Sequence, residues 1–132
     1  MNIINKSILS ELESHISHEK FIRNVKTFMD YMPGQIHELE RLQLSGDLKT
    51  IVEKSHMLKG TCGQFGAMRL HELFKTIELS AREGNVSDIR LMVRALPYEF
   101  QLVQEIISLS YMHTDEPSVC RESTPAEAAP AA

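Results

Sequence analysis

The segment SHMLKGTCGQFG, residues 55–66, places a histidine, a lysine and a glycine within five positions of a sequence that otherwise follows a helical pattern. His56, Lys59 and Gly60 are three and four residues apart, so they share one face of a helix, one turn apart. A histidine side chain with an unperturbed pKa of about 6.5 is largely neutral at pH 7, and the neutral ring is nucleophilic at its unprotonated nitrogen.

Lys59 would place a cation beside any anion carried by His56. Glycine costs roughly 0.5–1 kcal/mol relative to alanine inside a helix, but Gly60 would remove side-chain bulk and let a partner surface approach the ring. A nucleophile, a cation and open space together favour a phosphoryl acceptor. From spacing alone, an ordinary surface histidine beside a solvated lysine and a packing glycine is an equally good explanation.

Apolar residues at steps of three and four predict the helices that must position these groups. A short first helix covers residues 7–15, and Ser17 is the predicted N-cap of the second. Pro33 should kink or briefly break that second helix, although its apolar stripe resumes in phase. Asp47 is the predicted N-cap of the third helix, which carries His56.

A link over residues 63–66 leads to the fourth helix, which Gly84 should end in the C′ position. A fifth helix follows, and Pro97 should bend it. No segment alternates between apolar and polar residues as a strand would. The sequence therefore predicts an all-α fold, an antiparallel four-helix bundle with a short N-terminal capping helix over residues 1–113, followed by a disordered tail over 114–132.

Composition limits the classes of partner. The chain has 132 residues, a net charge of −4 and no dense Lys/Arg block, which argues against a nucleic-acid partner. The N-terminus lacks the features of a signal peptide and no apolar run is long enough to span a bilayer, so we expect a cytoplasmic protein without membrane contact, and a monomer.

Metal and disulfide sites are not predicted. Cys62 and Cys120 have neither metal-ligand spacing nor a disulfide framework, and are best explained as reduced thiols. His15 and His18 are three residues apart but lack an apparent third ligand. Like His37, His71 and His113, they are expected to be surface or satisfied core residues.

The segment HMLKGTCGQFGAMRLHEL, which begins at His56, resembles the core of the histidine-containing phosphotransfer (HPt) domain. The following FKTIELSAREGN is similar to the next helix of that family and its closing turn. The resemblance covers residues 21–85 well and the last helix loosely. The residues that match the family pattern are His56, Leu58, Lys59, Gly60, Phe65, Gly66 and Leu70.

The resemblance implies a two-component phosphorelay, in which His56 accepts a phosphoryl group as a phosphoramidate and passes it between receiver-domain aspartates. Lys59 would contact the phosphoryl oxygens, and Gly60 would let the receiver dock. Glu78, 22 residues after the histidine, matches the family position that holds the other ring nitrogen. Lys75 would add a second positive charge. Without the resemblance, Glu78 and Lys75 would be an ordinary solvated pair.

The implied partners are receiver domains and a hybrid sensor histidine kinase, with Met57 and Gly63 as further docking candidates beside His56. The chain contains neither a Walker A loop nor the kinase motifs, so we expect a phosphoryl carrier without ATP-dependent kinase activity. No cofactor of its own is expected, because the receiver would bring the Mg²⁺.

Two other functions are compatible with a helical bundle of this kind. A helical adaptor that binds and inhibits a kinase or receiver would use the same docking residues, but it would need neither Lys59 nor Glu78. A metal-storing or redox bundle would carry paired Glu-x-x-His motifs, which the sequence lacks. Phosphotransfer is therefore the favoured interpretation and the adaptor its alternative.

Overall fold

The secondary structure is helical throughout the described part of the chain. The computed structural model describes residues 2–112, and it contains no strand within that range. The predicted all-α class is confirmed. The five α-helices are α1 (Lys6–His15), α2 (His18–Ser45), α3 (Leu48–Gln64), α4 (Met68–Arg82) and α5 (Val86–Ile107), and a π-helical turn, Ser108–Met112, continues α5.

Four of these helices have a polar N-cap residue whose side chain accepts a hydrogen bond from a backbone amide of the first turn. Ser17 accepts from the amide of Lys20, and Asp47 from the amide of Thr50, so both predicted N-caps are confirmed. Asn5 and Asn85 act in the same way at the starts of α1 and α5. Each cap satisfies a donor that the first helical turn leaves without an intrahelical partner, which explains why the helices begin where they do.

The two prolines lie inside uninterrupted helices. Pro33 lies within α2 and Pro97 within α5. The brief break predicted at Pro33 therefore does not occur. Both side chains are exposed, whereas Met32 and Ile36 on either side of Pro33 are buried. Burial of a stripe that stays in phase on both sides of the proline favours a continuous helix over an interrupted one.

The core is formed by one apolar stripe from each of the longer helices. Helix α2 contacts α3 and α5, and α4 contacts the same two helices, so the four enclose a common interior. Among its fully buried side chains are Phe21, Met32, Leu39, Ile51, Leu58, Leu70, Phe74, Ile77 and Leu96. The stripes predicted from spacing are therefore the ones that pack, although Leu48, Val52, Leu73 and Met92 are only partly buried.

The link between α3 and α4 is tied to the N-terminal segment. The carbonyl of Gly66 accepts a 2.7 Å hydrogen bond from the amide of Asn5, and Gly66 has a φ of 71°. Phe65 stacks on Phe28 of α2 with ring centroids 4.6 Å apart. These contacts fix the turn from which α3 and α4 diverge, and so the relative position of their facing surfaces.

The predicted tail, residues 114–132, lies outside the described residues, as do His113 and Cys120. None of the helices between residues 2 and 112 has the length and apolar character that a membrane span requires.

Candidate functional site

His56 projects from the outer side of α3. The inner side of this helix is formed by Ile51, Ser55, Leu58 and Cys62, all of which are buried. His56 follows Ser55 by one residue and is therefore rotated out of the core by about 100°. Its side chain is 66% exposed. The ring is anchored by the helix and remains open to a partner molecule.

Glu78 reaches the imidazole from α4. Its Oε2 lies 3.1 Å from Nδ1 of His56, and its side chain is only 9% exposed. An ionised carboxylate only accepts hydrogen bonds, so Nδ1 must donate and carry the proton. In the neutral ring, the proton on Nδ1 leaves Nε2 unprotonated and available as a nucleophile.

Two cationic side chains share the same carboxylate. Nζ of Lys59 lies 3.1 Å from Oε1 of Glu78, and Nη2 of Arg82 donates to Oε2 at 2.8 Å. Lys59 is 26% exposed and Arg82 is 58% exposed. A nearly buried carboxylate therefore orders one imidazole and two cations at the surface where α3 meets α4.

These contacts determine the charge of Glu78. Burial by itself would raise the pKa of Glu78, but hydrogen bonds from Arg82, Lys59 and His56 together lower it to about 2. Opposite charges and donated hydrogen bonds favour the ionised form of a carboxyl group. Glu78 is therefore an anion over the physiological pH range, as its role of hydrogen-bond acceptor for His56 requires.

The surface beside His56 is open. Gly60 is exposed, and a Cβ added to it would have no neighbouring atom within 4 Å. Met57 is 47% exposed, a large fraction for a methionine. Both positions suit approach by a partner, which supports the predicted access to the ring without testing it.

Gly63 and Lys75 do not join the other predicted site residues around His56. A Cβ on Gly63 would lie 3.2 Å from Nδ1 of His71, so the bare side of this glycine faces α4, and the predicted docking role gains no support from it. Lys75 is exposed, and within residues 2–112 it forms no ion pair with Glu78. The structure brings together His56, Lys59 and Glu78, with Lys75 outside that group.

Comparison with known proteins gives one match. A sequence profile of the Hpt domain matches residues 23–108, which is more than half of the chain and contains the whole of α3 and α4. This chain belongs to the Hpt domain family. Neither the curated proteins nor the solved structures contain a significant match to it. Membership implies a part in phosphotransfer within two-component signalling, with receiver or kinase partners, and Hpt domains are phosphocarrier modules rather than kinases.

Two residues of this Hpt domain were missed by sequence reasoning. Arg82 is four residues after Glu78 and therefore one turn along the same face of α4, a spacing typical of an ion pair. His71 is seven residues before Glu78, which also places it on that face, and its Nδ1 lies 2.9 Å from the carbonyl oxygen of Lys59. Helical spacing from Glu78 places both side chains on its face of α4, whereas the contact of His71 with α3 depends on how the two helices pack.

In the described part of the chain, the other reactive side chains do not form a second site of this kind. No cluster of three or more His, Cys, Asp or Glu side chains suited to a metal ion occurs among residues 2–112. Nδ1 of His18 lies 3.0 Å from Glu13, at the surface. Burial raises the pKa of the Cys62 thiol to about 12, so a thiolate nucleophile is not available there.

Proposed function

We propose that this Hpt domain carries a phosphoryl group on Nε2 of His56 and relays it between the aspartates of receiver domains. The observation that carries the proposal is the 3.1 Å contact between Nδ1 of His56 and the ionised Glu78. That contact supports a ring whose proton is on Nδ1 and whose Nε2 is a free nucleophile. The 66% exposure of the His56 side chain supports direct access by a partner.

The transfer step balances without an added proton. Nε2 of His56 attacks the phosphorus of an aspartyl phosphate on the receiver, an N–P bond forms, and the bond between phosphorus and the aspartate oxygen breaks. The aspartate leaves as a carboxylate, and Nδ1 keeps its proton throughout. Return of the group to a second receiver reverses these bond changes. The step requires positioning and charge stabilisation rather than a cofactor held by this chain.

Lys59 would stabilise the charge on the transferred group. Its ammonium, 3.1 Å from Glu78, is one helical turn from His56 and exchanges this partner for the phosphoryl oxygens when the group is present. Arg82 keeps Glu78 paired during that exchange, because its own hydrogen bond is to Oε2 rather than Oε1. The Mg²⁺ of the reaction belongs to the receiver in this proposal. Lys75 remains a candidate for a more distant positive charge.

The relay role has three further parts. A hybrid sensor kinase supplies the phosphoryl group through its receiver, and this chain has no ATP-dependent kinase activity of its own. Gly60 and Met57 form part of the docking surface, since both are exposed beside His56. The monomeric state and the cytoplasmic location stay predictions from the sequence.

The bundle geometry is also part of the proposal. We infer that α2 to α5 run antiparallel and that α1 covers one end. Phe21 near the start of α2 contacts Tyr111 beyond α5, with ring centroids 5.4 Å apart, which supports opposite directions for these two helices. The hydrogen bond from Asn5 to Gly66 supports a position for the start of α1 at the α3–α4 link, on the same end of the bundle.

The test is phosphotransfer from a panel of receiver domains phosphorylated on their aspartates. We expect the wild-type chain to be labelled, the label to be acid-labile and base-stable, and the His56→Gln variant to take up none. His56→Gln should keep its helical content, because the side chain is outside the core. The matched control is His37→Gln, since His37 is a more exposed histidine on α2, and it should be labelled like the wild type.

Labelling of His56→Gln would place the acceptor elsewhere. A wild-type chain that binds a receiver and is never labelled by any member of the panel would favour the inhibitory adaptor instead.

A further inference from the structure

His71 makes two contacts with α3 that the proposed relay does not use. Its Nδ1 lies 2.9 Å from the main-chain oxygen of Lys59. A carbonyl oxygen only accepts, so Nδ1 of His71 donates and carries the proton of the neutral ring. The same ring covers Gly63, where an added Cβ would lie 3.2 Å from Nδ1.

Lys59 is consequently held by α4 at both its main chain and its side chain. His71 binds its carbonyl oxygen, and Glu78 binds its ammonium at 3.1 Å. His71 and Glu78 are seven residues apart, so they are two turns from each other on one face of α4. These two contacts, together with the one from Glu78 to His56, fix how far α3 can slide along α4.

We propose that His71 is a positioning residue for the phosphoryl-transfer site. Its hydrogen bond to Lys59 fixes the register of α3 against α4 at which Nδ1 of His56 meets Glu78. When the ammonium of Lys59 leaves Glu78 for the phosphoryl group, the His71 bond still holds the Lys59 main chain. The expected effect of His71 on the rate of phosphoryl transfer rests on the proposed function of His56. Its expected effect on the orientation and tautomer of the His56 ring does not.

Gly63 belongs to the same arrangement. At 3.2 Å, an alanine Cβ would be closer to the His71 ring than ordinary van der Waals contact allows, so the ring would have to shift away from α3. The bare side of Gly63 therefore leaves the space in which His71 can reach the Lys59 carbonyl. This accounts for a glycine in the last turn of α3, where a residue with a side chain would crowd the His71 ring.

Two substitutions at residue 71 separate the hydrogen bond from simple packing. Asn has an amide nitrogen at the position along the side chain where His has Nδ1, so His71→Asn can still donate to the Lys59 carbonyl. His71→Leu fills similar space at that position without a donor. Gly63→Ala is the third variant and displaces the ring without changing it. The matched controls are on the surface of α2, His37→Leu and Gly34→Ala.

The first measurement is the ¹⁵N NMR spectrum of the His56 ring, which reports the fraction of rings with the proton on Nδ1. The second is the single-turnover rate of phosphoryl transfer from a phosphorylated receiver, at several receiver concentrations. We expect His71→Leu and Gly63→Ala to lower the Nδ1–H fraction of His56. Both substitutions should slow transfer by up to about tenfold, which corresponds to the free energy of one hydrogen bond. The receiver concentration that gives half the maximal rate should not change. The transfer rate of His71→Asn should stay within about twofold of the wild-type rate, and the two control variants should transfer at the wild-type rate.

The proposal is overturned if His71→Leu leaves the His56 ring spectrum as in the wild type, or if His71→Asn is as impaired as His71→Leu. If no variant, including the wild type, accepts a phosphoryl group, the proposed relay function is wrong. The ring spectra then still decide whether His71 positions His56.

Discussion

Oε2 of Glu78 lies 3.1 Å from Nδ1 of His56, and the two residues come from neighbouring helices. This contact links a nearly buried anion to an exposed imidazole. The same carboxylate binds the ammonium of Lys59, so one side chain sets both the tautomer of the ring and the placement of that lysine. Each of these effects can be measured separately.

The pH dependence of stability should depend on Glu78. Because its pKa in the folded protein is about 2, below the usual 4.5, Glu78 stabilises the fold above pH 4.5, and this contribution is lost as the pH falls toward 2. Once solvent screening of the exposed partners is allowed for, we expect the free energy of unfolding to fall by an amount of order 2 kcal/mol. Urea unfolding of the wild type and Glu78→Gln at pH 7, 5 and 3 measures it.

Glu83→Gln is the control for this series, since Glu83 is an exposed glutamate near the end of the same helix. Equal pH slopes for the wild type and Glu78→Gln would contradict the prediction.

The low pKa of Glu78 should depend on Arg82. Its hydrogen bond to Oε2 is the largest of the effects that favour the ionised carboxylate, so Arg82→Ala should raise the pKa of Glu78. A ¹³C NMR titration of the Glu78 carboxyl group measures the change directly. Arg90→Ala, an exposed arginine on α5, should leave the titration where it is in the wild type. An unshifted midpoint in Arg82→Ala would remove Arg82 from the site.

Gly60→Glu should block docking without damaging the helix. A side chain at this position enters open space, so the substitution should raise helix stability by up to about 1 kcal/mol. It also places bulk and negative charge one turn from His56, and we expect the transfer rate to fall at least tenfold. Gly34→Glu makes the same change in open space on α2 and should transfer normally. Normal transfer in Gly60→Glu would mean that the receiver approaches from another side.

Met57 should contribute to receiver binding and little to stability. Because it is 47% exposed, Met57→Ala should change the unfolding free energy by no more than about 0.5 kcal/mol while weakening receiver affinity. The neighbouring Leu58 is fully buried, and Leu58→Ala should cost about 2–5 kcal/mol. Thermal unfolding and calorimetric titration with a receiver measure the two effects. Unaltered affinity in Met57→Ala would exclude it from the docking surface.

Gly66 should tolerate substitution worse than Gly84, although both have a φ above 70°. Left-handed backbone costs a non-glycine residue about 1–2 kcal/mol, and this applies to both positions. Around Gly84 there is open space, whereas a Cβ on Gly66 would lie 2.7 Å from the carbonyl oxygen of Asn5. Chemical denaturation should therefore show a larger loss for Gly66→Ala than for Gly84→Ala. Equal losses would indicate that the N-terminal segment moves aside freely.

Local rules were sufficient for the helices and for part of the site. Asp47 and Ser17 have short polar side chains directly before an apolar stripe, and such signals act over a few residues, so they can be read without the fold. The pairing of Glu78 with His56 came from a resemblance to a family, and the residues alone left it undecided.

The remaining features depend on how two helices pack. The contact between His71 and Gly63 requires a particular rotation of α4 against α3, which spacing along one helix does not determine. Pro33 was expected to kink or briefly break α2, and the break does not occur, because the cost of one lost backbone hydrogen bond is smaller than the burial gained by a continuous stripe. Tertiary packing decided both outcomes.

The link between α3 and α4 has only three residues, and this has a consequence for folding. Every group assigned to the site, from His56 to Arg82, lies within one helical hairpin closed by that link. Closing a short connection costs less chain entropy than closing a long one, and contacts of low sequence separation form quickly. We therefore expect the site to assemble with this hairpin, before α2 and α5 meet across the intervening chain. Substitutions in α2 or α5 that spare the core should then change the unfolding rate, and so the lifetime of the folded state. They should leave the α3–α4 hairpin as the part of the chain that forms first.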